Sequence, residues 1–471
     1  LRHHTRAIQF SAWLLALVVP VAAAAPAAKP QAWQSAAGKK DQIVFALTGD
    51  AIINRRLSTS GLPGTDRMFG LIRSADVAFS NFETLIHDFT YPGAQQSGGT
   101  YMGSPRFVLD ELAWAGFDLF GLANNHSHDF GVEGMRSTVA AFAKTDLVYA
   151  GVGENLALAR APGYFDTPKG RVALLSITSS FPPASAAGPQ RRDMPGRPGV
   201  NPLRHTLTYT VPQATYDTIA KLRGSQPSST AESASTPTLS FAGARWIAGD
   251  AVGISSKADA RDLREMQAAV RDADQQSDWV VVSLHAHESA GPGQAWKPAE
   301  FVVEFAHAMI DAGADMVVGH GHHMLRGIEV YRGKPIFYSL ANFIFENDLV
   351  RLQPAENYDK VDLPESALPS EYYSARSKND TVGFPADRRN WQSVVAEVVY
   401  GEDRRLRQVR LHPVALGFGQ PRTKRGAPYP ASADEAAQIF RDLNEVSAPF
   451  GTTVTVTNGV GILNWPAAGT N

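Results

Sequence analysis

Short apolar runs bounded by turn residues recur along the chain, and segments with apolar positions at helical spacing fall between them. Four strands are expected first: Gln42 to Thr48, Asp76 to Ser80, Phe117 to Leu122, and Val148 to Ala150. Helices are expected from Phe107 to Ala115 and from Gly134 to Lys144. A hairpin should join Tyr164 to Asp166 with Arg171 to Ile177, because Pro168-Lys169-Gly170 supplies turn chemistry. Later come a helix from Asp259 to Ala273, a strand from Asp278 to Leu284 and a helix from Pro298 to Ala312. Strands Met316 to Val318, Ile328 to Tyr331 and Pro335 to Tyr338 follow, the last two joined by a tight turn at Gly333. A charged, tyrosine-rich stretch then precedes strands Gln392 to Tyr400 and Leu406 to Leu411. Ser432-Ala-Asp-Glu435 has the spacing of a capping box and opens a helix ending at Val446, and Thr452 to Val456 closes the pattern. Strands alternating with helices predict an α/β fold with mixed sheets.

The periodicity fails between Phe181 and Ala258. Pro182 to Pro202 is rich in Pro, Gly, Ala and Arg, and Gly224 to Thr238 is a Ser, Thr and Ala tract, so a loop-rich insertion around 181–258 is expected. Its Arg191, Arg192, Arg197 and Arg204 would either form an anion-binding lid or a solvated basic loop. The amino-terminal pattern is different again. Arg2 and Arg6 precede an apolar run from Phe10 to Ala25 that ends in small residues, the order of a secretory signal peptide over residues 1–25. Residues 26–40 read as an Ala- and Pro-rich linker. Export to the periplasm or cell envelope is therefore expected, with membrane association only if the first segment is retained as an anchor.

Composition narrows the chemistry. With 471 residues, 44% of them hydrophobic, the chain can bury a large core. A formal net charge of −2 with no long basic stripe argues against nucleic acid as a partner. There is no cysteine, so carboxylate, amide and imidazole must do any metal binding. Seven of the 13 histidines lie in three short clusters, each after an apolar run: His126 and His128, His285 and His287, and His320, His322 and His323. Asp50, after Phe45-Ala-Leu-Thr-Gly, and Glu83, in Ser80-Asn-Phe-Glu, add acids at two more strand ends. Ligands collect at the carboxyl edge of open α/β sheets, and this donor mix suits one or two divalent ions, with Mn, Fe or Zn favoured over Ca.

Gly49-Asp50, Asn81-Phe-Glu83, Ala123-Asn-Asn-His126 with Asp129 and Gly131, Ser283-Leu-His285, Gly319-His320 and Tyr338-Ser-Leu-Ala-Asn342-Phe resemble, in order, the CapA (poly-γ-glutamate capsule synthesis) family. Arg197-Pro-Gly-Val-Asn-Pro-Leu-Arg204 resembles a segment of some CapA-like proteins. The resemblance implies a calcineurin-like metallophosphatase-type α/β/β/α sandwich of two mixed sheets flanked by helices. That domain would span residues 41–347, with residues 348–471 as a carboxyl-terminal extension packed on it. It implies Asp50, Glu83, Asn125, His285 and His320 as metal ligands, completed by His323 or His322, with Glu83 the bridge between two ions. His126 is placed like the metallophosphatase histidine that contacts the leaving group, which implies general acid work. Arg197 and Arg204 are the substrate-binding candidates. Asp129 would either orient His126 or cap the next helix, and the cap is the favoured reading. His128 and His287 are expected beside the site or at the surface, and Asn342 is expected to bond its loop.

Two departures from the pattern matter. Ile52 stands where metallophosphatases carry the histidine of Asp-x-His. The last motif reads Gly319-His-Gly-His-His323, so His322 and His323 each match one version of the family spacing. The expected activity is metal-dependent hydrolysis of a phosphoester or of an amide bond in an envelope polymer such as poly-γ-glutamate. The alternatives are a non-catalytic assembly component that keeps the fold, or a metal-binding module without chemistry.

Overall fold

The first apolar run forms one long strand, Gln42–Ile52, buried almost throughout, and it organises the larger of two main sheets. A computed structural model describes residues 41–59, 61, 64–224 and 238–466. The signal-peptide and linker expectations, and nearly all of the Ser, Thr and Ala tract, lie outside the described residues. Gln42–Ile52 runs parallel to Val77–Asn81 on one side and antiparallel to Gln392–Gly401 on the other, within a ten-stranded sheet. Leu119–Gly121 and Val148–Ala150 continue the parallel part outward. The second sheet has six strands. Gly170–Thr178, Trp279–His285, Met316–His320 and Lys334–Phe337 are parallel neighbours in it, and Gly163–Thr167 and Ile328–Tyr331 close its edges antiparallel.

Alternation along the strands builds the layers. Phe45, Leu47, Phe79 and Leu119 point inward and pack with Leu174, Trp279, Val281 and Val318 from the facing sheet. Phe45 meets Trp279 and Tyr400 edge-on at 6.0 and 6.1 Å between ring centres. The alternate residues Ala46, Ala78 and Phe120 lie under the helices Thr65–Ser74, Phe107–Ala115 and Gly131–Phe142. On the other side Ala173, Leu175, Val280 and Val282 lie under Ala260–Gln276 and Glu300–Ala312. Ala260–Gln276 starts where Asp259 accepts the Arg261 and Asp262 N–H groups, and it buries Met266, Val270 and Ala273, one stripe at helical spacing. The result is the α/β/β/α sandwich of two mixed sheets that the sequence implied.

Several expectations need correction. The segment 181–258 is not simply loop-rich: His205–Val211, Thr238–Phe241, Ala244–Ala248 and Gly253–Ala258 form a separate four-stranded sheet beside the helix Gln213–Arg223. Leu207, Tyr209 and Val211 do alternate with polar residues, but this sheet is only half-buried, so its apolar signal is diluted by threonine. The sheet is tied to the core by His205 stacked on Phe301 at 4.2 Å. Asn342 does not sit in a loop; it begins the strand Asn342–Phe345, parallel to Gln42–Ile52. The carboxyl-terminal residues also supply Leu406–Ala415, Thr453–Thr457 and Val460–Asn464 to the ten-stranded sheet. Among the described residues, no helix is long and apolar enough to cross a membrane.

Candidate metal centre

Parallel pairing decides which side chains can meet. Asp50 lies in register with Asn81 on one side and Asn342 on the other, and His285 lies in register with His320 in the facing sheet. The carboxyl ends of both sheets' parallel strands therefore open on the same edge. Tight backbone approaches hold this edge. A Cβ on Gly49 would lie 1.8 Å from the Ala341 carbonyl oxygen. Gly321 has φ of +96°, and a Cβ there would lie 2.8 Å from the His285 ring, so only glycine lets the chain turn from Met316–His320 across that imidazole. His323, two residues on, is itself left-handed at φ 62°, a conformation costly for a non-glycine residue and common at functional sites.

Two carboxylates and four imidazoles gather there. Asp50 Oδ1 is 3.4 Å from His320 Nδ1 and 3.9 Å from His285 Nδ1, and its Oδ2 is 3.8 Å from His323 Nδ1. Glu83 Oε1 lies 3.6 Å from His285 Nε2 and 3.8 Å from His323 Nε2. His287 Nε2 is 3.1 Å from His285 Nε2. Three overlapping groups are compact enough to hold an ion: Asp50, His285 and His320; Asp50, Glu83 and His323; and Glu83, His285 and His287. The surrounding residues aim these groups. Asn81 Nδ2 donates to Asp50 Oδ1 at 2.8 Å, and the Gly321 N–H donates to Oδ2 at 2.9 Å. The Ser283 hydroxyl meets His320 Nε2 at 2.7 Å, and Asn342 Oδ1 meets His323 Nδ1 at 2.8 Å.

The electrostatics fit a cation. Both Glu83 oxygens, Asn81 Oδ1 and Asn125 Oδ1 are buried without a hydrogen-bond partner, an expensive arrangement that a bound ion would relieve. Burial, and then the charges of Asp50 and Asp129, push the Glu83 carboxyl well above its ordinary range. Asp50 is equally buried, but the hydrogen bond and charge of His320, with His323 and Asn81, outweigh burial and hold it below the usual value. Burial, then crowding by His287, His320 and His323, keeps His285 far below the normal imidazole range; burial lowers His287 to about 3. Neutral imidazoles beside carboxylates are the form in which these residues bind divalent ions.

His126 is held differently. Its Nδ1 pairs with Asp129 Oδ2 at 2.7 Å, and that carboxylate also accepts the Gly98 and Met102 N–H groups. Asp129 is thus not the cap it was expected to be: Phe130 occupies that position of Gly131–Phe142, without a side-chain cap. The Asn124 side chain bridges the same loop, donating to the Phe82 carbonyl and accepting from the His126 N–H.

Of the other expected residues, Asn125 donates to the Gly98 carbonyl at 3.2 Å and keeps Oδ1 free beside the centre. His323 stands in the cluster, whereas His322 belongs to none of the three groups; burial and then Arg326 lower it to about 2. Ile52 is packed in the core and lines the cleft. Arg197 and Arg204 are placed elsewhere. Arg204 is spent on buried Asp262 at 2.9 Å, and Arg197 Nε donates to the Ala186 carbonyl. His128 lies against Met135. Sequence reasoning undervalued Asn81 and His287, whose only signals were the motifs they sit in. It missed the far wall altogether: a cavity of about 600 Å³ over Asn125, His126, His287 and His323 is closed by Tyr373, Arg376 and Phe384.

Buried carboxylates and imidazoles at the carboxyl ends of parallel strands, between two stacked sheets, make this an α/β/β/α protein built around a site able to hold a metal ion. The chain belongs to the family described as bacterial capsule synthesis protein PGA_cap, which matches residues 44–347. It is 38% identical over 438 residues to the uncharacterized proteins y4sH and y4uA of Sinorhizobium fredii, covering 90% of this chain and 93% of each relative. It is also 26% identical over 321 residues to the capsule biosynthesis protein CapA of Bacillus anthracis, covering 66% of this chain and 62% of that one. A probable polyglutamine synthesis accessory protein of Mycobacterium tuberculosis is 32% identical over 227 residues, 47% of this chain and 44% of that one.

Proposed function

We propose that this protein is an exported, metal-dependent hydrolase of the cell envelope, acting on a phosphoester or on an amide bond of a polymer such as poly-γ-glutamate. The observation that carries this reading is the His126–Asp129 pair in the wall of the cleft, beside the cluster of carboxylates and imidazoles. A purely structural ion needs no such pair. Asp129 occupies Nδ1, which fixes the ring and leaves Nε2 as the nitrogen that exchanges a proton with a ligand in the cavity. Asp50, Glu83, His285, His287, His320 and His323 are the residues that would hold one or two ions of Mn, Fe or Zn, with Asn125 and Asn81 offering neutral oxygens. A bound ion would supply the positive charge that polarises a phosphoryl or carbonyl oxygen. Around it Asn81, Gly321, Ser283 and Asn342 keep the ligands aimed, and Phe345 and Phe384 give the cavity an apolar wall. The capsule-named relatives and the signal-like start support an envelope location.

One observation favours a second reading, a non-catalytic component of polymer assembly. Ile52 puts an apolar side chain where the wider phosphatases carry a histidine. Reconstitution with Mn, Fe or Zn, elemental analysis, and a screen of phosphodiesters and γ-glutamyl polymers separate the two. His126→Ala should keep the metal content and the melting temperature while lowering turnover by about 10²–10⁴-fold, the usual worth of a positioned acid or base. No turnover by the metal-loaded protein would favour assembly instead, and a fully active His126→Ala variant would remove His126 from the chemistry.

A further inference from the structure

His287 is held differently from its neighbours in the cluster. The Ser283 hydroxyl and Asn342 Oδ1 meet the rings of His320 and His323, whereas His287 is gripped by its backbone. Its N–H donates to Ser180 Oγ at 2.8 Å, and its carbonyl accepts from Arg326 Nη2 at 3.3 Å. Arg326 is fully buried and makes no ion pair among the described residues. Burial lowers it to about 9, so the guanidinium remains charged at neutral pH. Its other nitrogens reach two more carbonyls: Nη1 donates to Ala286 at 3.5 Å, and Nε donates to Ala295 at 3.1 Å. Ala295 belongs to a separate stretch of chain, the loop 289–298, which leaves the cluster after Glu288. Ser289 bridges Pro298 at the base of that loop, and the Ala290 N–H donates to the Lys297 carbonyl just above. Beyond this base Pro292, Gly293, Gln294, Trp296 and Lys297 are exposed, and only Ala295 turns back toward the buried guanidinium.

We infer that Arg326 is a positioning residue that ties the His287 imidazole to the exposed loop 289–298, so that an ion held by Glu83, His285 and His287 and an ordered loop favour each other. The inference rests on the metal-binding reading above and adds to it a surface element that responds to the ion. A guanidinium is planar and offers its N–H groups in a fixed fork, so contacts to Ala286 and His287 on one side and Ala295 on the other hold two chain segments at a set separation. An apolar side chain in the same space would deprive three carbonyls of this donor, and a lysine would supply a point charge without the plane. The ring of His287 is carried by the backbone that the fork grips, so slack there moves Nε2 within the group it shares with Glu83 and His285. Coupling of this kind is reciprocal: whatever orders the loop strengthens the ion by the same factor.

Cobalt(II) titration of the full chain, followed by visible absorption, tests this together with hydrogen–deuterium exchange on metal-free and cobalt-loaded samples. In the wild type, cobalt should slow exchange across residues 289–298, and this protection should vanish in Arg326→Met, Arg326→Lys and His287→Ala. The two Arg326 variants should bind cobalt about 10–100-fold more weakly at the site that includes His287, the usual worth of a group that orients a ligand, with an altered absorption band. Arg136→Met, which removes an exposed cation paired with Glu154, should match the wild type throughout. Melting curves check folding, and Arg326→Gln takes the place of Arg326→Met if that variant is unstable. Unchanged affinity and absorption in both Arg326 variants, or loop protection that survives them, would overturn the inference and leave the metal reading intact. Full affinity in Arg326→Lys would also overturn it, because the charge rather than the fork would then be acting. No cobalt uptake by the wild type would remove the metal reading and this inference together. Cobalt binding with loop protection but no turnover of any substrate would leave the inference standing and remove only the hydrolase reading.

Discussion

Asp129 and His128 show how a single position can be read two ways from sequence. Asp129 precedes a helix, so a cap was the economical expectation, yet its carboxylate is taken by His126 Nδ1 and by the N–H groups of Gly98 and Met102. The spacing of three residues suits either role, and only the position of the 98–102 loop decides between them. His128, two residues from His126, does no comparable work. Burial lowers its pKa to about 4. The unfolded chain takes up a proton near pH 6.5 that the folded chain refuses until about pH 4, so stability contributed by the neutral ring is lost as pH falls through that window. The loss from this residue should approach about 3 kcal/mol at the acid end. Urea unfolding of His128→Leu at pH 7 and pH 4.5 checks this: the variant should lose less stability than wild type between the two, and an equal loss would refute the assignment.

Elements with a clean period were legible, and elements whose faces are half wet were not. The strands Gln42–Ile52 and Trp279–His285 are buried along their length, and their apolar runs mark them plainly. Ala433–Ser447 begins where the Ser432 and Glu435 capping box put it. The small sheet containing His205–Val211 was hidden because its strands are partly exposed and carry threonine. Gln392–Gly401 illustrates a polar contribution that the pattern did not reveal. Its Glu397 meets Arg410 at 2.6 Å and His412 at 2.8 Å on the neighbouring strand Leu406–Ala415. Burial raises this carboxyl, but the hydrogen bond from His412 and the charge of Arg410 outweigh it and hold the group below 4.5. A depressed carboxylate stabilises the fold above its unfolded pKa, and the gain disappears as pH falls through the folded value. Glu397→Gln should therefore cost about 1 kcal/mol at pH 7 and progressively less as pH falls through the folded value. Denaturation curves across that range would show it, and a pH-independent difference would count against the ion pair.

At the scale of the whole molecule, the carboxyl-terminal residues are structural partners of the edge that carries the carboxylate and imidazole cluster. Gln392–Gly401 pairs with Gln42–Ile52 over six residue positions, from Gln42 to Leu47, just before Asp50. A chain ended at Asn347 would leave that strand's edge unpaired and would remove Val394, Ala396 and Val398 from the core they share with Phe45 and Leu47. It should be insoluble or lack a cooperative melt, as circular dichroism and light scattering would report; a soluble, cooperatively melting product would disprove this. The sequence by itself determined the α/β class, the strand ends carrying Asp50, Glu83, His285 and His320, and the family resemblance. Those features are local: a buried strand needs an apolar run, and a ligand at its end needs only the next residue. Tertiary structure alone decided that His323 rather than His322 joins the cluster, that His287 comes with it, and that Arg204 is spent on Asp262. It also brought Arg376, Tyr373 and Phe384 over residues hundreds of positions earlier, because the turn at Gly321 and the pairing of distant strands set which side chains face one another, and no local pattern encodes those contacts.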